Sequence, residues 1–152
     1  MTAKETFDRL AAKFPQFPLG YLEGKDTAIL VKGENLVGLA QHMRDDEEYD
    51  YCSSITGVDY PDRFEVVYHL YSTKKEGGPV ILKVHAEREN PMLPSVVSIW
   101  PTANWQEREV WDLMGIRFSG HPNLTRILMW EGFEGHPLRK DFPGSEDEYI
   151  FG

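Results

Sequence analysis

The sequence predicts an α+β fold: a compact domain with a small mixed β-sheet flanked by helices, followed by an extended C-terminal arm. Three observations predict it. Stretches with apolar residues at helical spacing are interleaved with stretches that alternate with period two. The 152 residues, 41% of them hydrophobic, suffice for one domain with its own core. Beyond Gly115 both periodicities stop, and glycines, prolines and aromatics dominate. On this pattern the chain divides into a domain over 1–118 and an arm over 119–152.

Each element has a local reason. Thr2 and Glu5 form a capping-box pattern ahead of Phe7, Leu10, Ala11 and Phe14, which predicts a first helix; Pro15 and Pro18 end it and start a loop. Residues 27–31 read as a short strand. Residues 34–44 read as a second helix, with Leu36, Val37, Leu39, Ala40 and Met43 on one side. The acidic run 45–50 reads as a solvated loop. Residues 51–58, 64–71 and 80–86 read as strands, the last two joined as a hairpin across Gly77, Gly78 and Pro79. Residues 95–100 read as a further strand stopped by Pro101. Asn104 with Glu107 predicts the cap of a last helix, about 105–114, ended by Gly115.

Composition excludes several function classes. A net charge of −9 is wrong for a nucleic-acid binder or a basic membrane anchor. No apolar run is long enough to span a bilayer, and the N-terminus lacks the apolar core of a secretory signal. The single cysteine, Cys52, excludes an internal disulfide and any all-cysteine cluster site, which predicts a reducing compartment such as the cytoplasm.

Candidate chemistry is sparse. Cys52 lies in a strand with no cationic neighbour to activate it and reads as a small buried residue. His121 and His136 are each followed by proline and match no metal-ligand spacing, so turn or interface hydrogen bonding is expected of them. His69 and His85 fall on the faces of their strands opposite the apolar series, toward solvent. No phosphate-binding glycine loop is present. Glu107, Glu109 and Asp112 could pair for acid–base work, but Arg108 and Arg117 nearby would keep such carboxylates ionised.

What remains is the run from Glu107 to Pro143, EREVWDLMGIRFSGHPNLTRILMWEGFEGHPLRKDFP, nearly balanced in charge and rich in Trp, Phe and Arg. A segment so specified, yet without a nucleophile or a metal cage, is better explained by fitting a partner than by attacking a substrate. Across Gly120 to Pro143 the glycines and prolines forbid a helix and the aromatics lack an obvious internal core, so the arm is expected to be mobile in the isolated chain.

The residues Glu107-Arg108-Glu109, Asp112-Leu113, Gly115-Ile116, Phe118, Gly120-His121-Pro122, Leu124, Arg126-Ile127-Leu128 and Pro137 to Pro143 resemble the signature of the thirty-kilodalton subunit family of respiratory complex I. Gly57-Val58-Asp59-Tyr60 and the strand from Phe64 extend the similarity upstream. The resemblance implies a non-catalytic subunit of a complex I-type NADH–quinone oxidoreductase. Such a subunit sits in the peripheral arm at the cytoplasmic face of the cell membrane and carries no cofactor of its own. Iron–sulfur clusters, FMN and quinone are expected in partner subunits. It also implies that the arm wraps the forty-nine-kilodalton-type neighbour, which reduces quinone in a reaction coupled to proton translocation. The residues assigned to partner binding on this basis are Glu107, Arg108, Glu109, Asp112, Gly115, Gly120, His121, Pro122, Arg126, Arg139, Lys140 and Asp141. The chain departs from the family pattern at Thr125, where a basic residue is common, and in its short end after Pro143. The same family serves membrane-bound hydrogenases, F420-type dehydrogenases and the photosynthetic NDH complex, so the electron donor stays open. Readings of other classes are a stand-alone metal-dependent hydrolase using His121 and His136, and an adaptor for soluble partners.

Overall fold

A computed structural model describes residues 3–23, 28–76, 78–130 and 132–142. The elements run α1 (Ala3–Lys13), β1 (Gly20–Leu22), β2 (Ala28–Leu30), α2 (Gly33–Asp45), β3 (Tyr51–Asp59), β4 (Phe64–Tyr71), β5 (Val80–Ala86), β6 (Met92–Pro94), α3 (Ala103–Met114) and β7 (Arg117–Ser119). Five strands form one sheet in the order β1-β2-β5-β4-β3. Only β2 and β5 in it are parallel, so the sheet is mixed. β6 and β7 pair in parallel as a separate ribbon. The predicted α+β class and mixed sheet are what the chain shows.

The core follows the period-two pattern. Phe64, Val66, Tyr68 and Leu70 of β4 and Val80, Leu82, Val84 and Ala86 of β5 are all buried. The helices add Leu10, then Leu36, Leu39, Ala40 and Met43, then Val110 and Met114, to the same cluster. Gly57 lets α3 sit close: a Cβ there would lie 3.1 Å from the Met114 side chain and 3.3 Å from Val110.

Three local expectations are corrected. The stretch 95–100 is not a strand. Val96, Ile99 and Trp100 are buried at spacings of three and four, and the Ile99 and Trp100 N–H groups both bond back to Val96 O, which makes a turn. Asn104 does not cap α3; the helix starts two residues after Pro101, and the Glu107 side chain leaves the helix altogether. The three residues of β1 form a strand where the prolines Pro15 and Pro18 predict only loop. The predicted Thr2 cap and Thr27 lie outside the described residues. The run 45–50 is also less solvated than expected. Glu47 pairs with Arg9, and Asp50 accepts from the Thr73 amide at 2.9 Å.

No helix among the described residues is long and apolar enough to cross a membrane.

Candidate functional site: the α3–arm clasp

The acid positions of α3 point in different directions, and that fixes their roles. Asp112 is fully buried on the side facing the arm. Its Oδ2 accepts three successive backbone N–H groups, from Ile127 at 3.1 Å, Leu128 at 2.7 Å and Met129 at 2.8 Å. Its Oδ1 accepts from Arg126 Nη1 at 2.7 Å. Burial pushes the Asp112 carboxyl up, but these amides and the guanidinium outweigh it and hold the group below its usual range. Arg126 extends the clasp, donating to Asp112 O at 3.2 Å and to Gly135 O at 2.7 Å.

The second tie is at the C-terminus of α3. Gly115 closes the helix in the left-handed conformation, φ 78°. The turn at His136–Arg139 packs against it. Leu138 N–H donates to Leu113 O at 2.9 Å, Arg139 Nε to Met114 O at 2.6 Å and His136 Nδ1 to Asp112 O at 2.9 Å. The His136 ring lies 5.0 Å from that of Trp111, and its burial lowers its pKa. A Cβ on Gly115 would fall 2.5 Å from His136 Cδ2 and 2.6 Å from Arg139 Nη2. Gly115→Ala is therefore expected to destabilise the chain by about 2 kcal/mol or more, from left-handed strain plus the clash. A denaturant melt that matched the parent would contradict this.

The third tie joins the arm to the sheet. Buried Asp59 at the end of β3 pairs with Arg88 and accepts the Lys140 N–H at 2.8 Å. Arg88 also reaches Asp141 at 3.3 Å. The Arg88 and Arg139 guanidiniums lie 4.6 and 4.9 Å from the centroid of the Phe64 ring. Sequence reasoning missed Asp59, Phe64 and Arg88 as parts of the clasp. The available signal was an acid at Asp59, two residues beyond Gly57 at the end of an otherwise apolar and small-residue strand.

Glu107 has a different partner set. It is fully buried and reaches the turn before α3, accepting from Ser95 Oγ at 2.5 Å and from the Val96 N–H at 2.8 Å. Burial dominates and pushes its carboxyl up to about 7. The other predicted positions divide between turns and surface. Arg108 donates to Thr125 O at 3.2 Å and Arg126 O at 3.1 Å. His121 accepts the Asn123 N–H at Nδ1 and donates from Nε2 to Asn104 O at 3.1 Å, a turn-holding role. Gly120 has φ 81°, and Glu109, Pro122, Lys140 and Asp141 are exposed.

The arm's aromatics also find neighbours. Trp130 meets Phe133 edge to face at 4.7 Å, and Phe133 stacks on Phe142 at 6.0 Å. None of these three rings joins the domain core; they pack on one another along the arm. What stays outward is apolar: Trp105 is 61% exposed, Leu128 58%, Trp130 67% and Leu138 46%. Arg108 lies over the Trp105 ring at 5.0 Å while bonding the 125–126 backbone, so helix and arm are tied at this surface.

Cys52 is buried, and burial raises its thiol to about 12. Among the described residues no three His, Cys, Asp or Glu side chains are grouped to hold a metal.

The family and the fold are shared with known proteins. Residues 29–148 match the model of the family described as respiratory-chain NADH dehydrogenase, 30 Kd subunit. The chain belongs to this family. Among its relatives is the C-type subunit of the NADH-quinone oxidoreductase of Roseiflexus sp. (strain RS-1), 45% identical over 95% of this chain and 86% of that protein. The corresponding subunit of Moorella thermoacetica is 44% identical over 79% of this chain and 82% of its own length. Of solved structures, the trypsin-resistant fragment of Nqo5 superposes with a TM-score of 0.66 at 30% identity, covering 80% of this chain and 98% of the fragment. A chain of the archaeal membrane-bound sulfane sulfur reductase shares the fold, with a TM-score of 0.79 over 97% of this chain and 88% of that chain, at 24% identity.

Proposed function

We propose that this chain is a non-catalytic peripheral-arm subunit of a complex I-type NADH–quinone oxidoreductase. It holds the quinone-reducing forty-nine-kilodalton-type subunit in place for electron transfer coupled to proton translocation, at the cytoplasmic face of the cell membrane. Flavin, iron–sulfur clusters and quinone belong to the partner subunits. One observation carries the reading: Glu107, Arg108, Asp112, Arg126 and Arg139 of the signature are engaged in internal ties, and the ties present Trp105, Leu128 and Trp130 outward. Exposed tryptophans beside arginines on a prearranged surface suit a protein partner, because ordering them costs little at the moment of binding.

The test is the pair of exposed tryptophans. Trp105→Ala with Trp130→Ala should leave the melting of the free chain nearly unchanged. Association with the complex should weaken by about 2 kcal/mol or more. Co-purification of the doubly substituted chain with the quinone-reducing subunit at the parental yield would contradict the proposal.

A further inference from the structure

We propose that the outer edge of β3 and the flank of α3 form a docking groove for an extended, basic segment of a neighbouring subunit, which adds a strand to the sheet. This rests on the reading that the chain is built into a multi-subunit assembly, but not on which subunit fills the groove. β3 is the last strand of its sheet, so one row of its backbone groups has no strand partner among the described residues. Beside it lies a cavity of about 370 Å³, walled by residues 53–57 and by Val110, Leu113 and Leu138.

Exposed strand edges are normally protected by short length, proline or charge. The opposite edge of this sheet is protected: β1 has three residues and follows Pro18 closely. β3 has nine residues, and its Ser53-Ser54-Ile55-Thr56-Gly57 stretch has neither a charge nor a proline. It is interrupted by a bulge at Ser53, where Gln106 Nε2 covers the Ser53 carbonyl at 3.5 Å and the Cys52 thiol reaches the Ser54 carbonyl at 3.7 Å. The stretch beyond the bulge is open for main-chain pairing, and the apolar wall supplies a pocket for alternate side chains.

Charge selects the occupant. The one charged residue lining the groove, among the described residues, is Glu109, exposed on α3. It favours a lysine or arginine opposite. It disfavours the chain's own last nine residues, which hold Glu146, Asp147 and Glu148 and no base. A second copy, at net charge −9, is disfavoured for the same reason.

The experiment compares amide exchange in the purified complex with that in the free full-length chain, and cross-links the complex from a photoreactive residue at position 56. Exchange across residues 54–57 should slow by about tenfold or more in the complex. The cross-link should fall on a segment of another subunit that contains a basic residue. Glu109→Lys should weaken retention in the complex about tenfold, with the free chain still folded. Equal exchange in the complex and the free chain overturns the groove while leaving the subunit reading intact. A cross-link to residues 143–152 of the same chain also overturns it. Failure of the chain to enter any complex overturns both.

Discussion

Asp112→Ala is expected to cost about 3–5 kcal/mol, the largest loss of any single substitution in the arm or on α3. The carboxylate is fully buried and faces Arg126 and the Ile127, Leu128 and Met129 amides. Alanine would leave a largely buried guanidinium and three N–H groups without their acceptor. The loss should concentrate on residues 126–136, because the domain core is built separately from the apolar faces of the sheet and helices. The pH dependence follows from the same contacts. The folded carboxyl titrates below its unfolded value of about 3.9. Its contribution is therefore complete above about pH 4 and fades as pH falls through the lower, folded value. A melt of Asp112→Ala within a few tenths of a kcal/mol of the parent at pH 7 would refute this.

Glu107 should act in the opposite sense. Its folded carboxyl titrates at about 7, above the ordinary carboxylate value. Between the two values the folded state holds a proton that the unfolded state has released. Stability is therefore fullest below about pH 4 and falls as pH rises through 7, by about 3 kcal/mol at the limit. Glu107→Gln should remove most of that slope. Its amide oxygen can accept the Val96 N–H while its NH₂ donates to Ser95 Oγ, the two partners now held by the carboxyl. The advantage of the variant over the parent should be clear at pH 8 and much smaller at pH 5. Urea midpoints at both pH values decide it, and parallel profiles for the two proteins would contradict the assignment.

These two acids, five residues apart on one helix, show how far the sequence could be read. Helix α3 and its end at Gly115 were legible, because periodicity and a C-terminal glycine are local signals. The long strands β3, β4 and β5 were legible for the same reason. The direction of each charge in the signature was not. Glu107 turns to the 95–96 turn and Asp112 to the arm, and only the packed positions of those segments distinguish them. The 95–100 stretch failed because Val96, Ile99 and Trp100 satisfy a turn as well as a strand, and the Glu107 carboxylate on the Val96 amide favours the turn. Asp59 falls within the family pattern, but its partners Arg88 and Lys140 lie 29 and 81 residues away, beyond any local signal.

In the proposed role, the charged signature clasps the arm to its own domain before the surface so prearranged meets the partner. Amide exchange of Ile127, Leu128 and Met129 in the free full-length chain tests that order most directly. Slow exchange is expected at these amides in the parent, collapsing to the rate of an unstructured peptide in Asp112→Ala. Fast exchange at all three in the unbound parent would contradict it, and would mean that the clasp forms only on the partner.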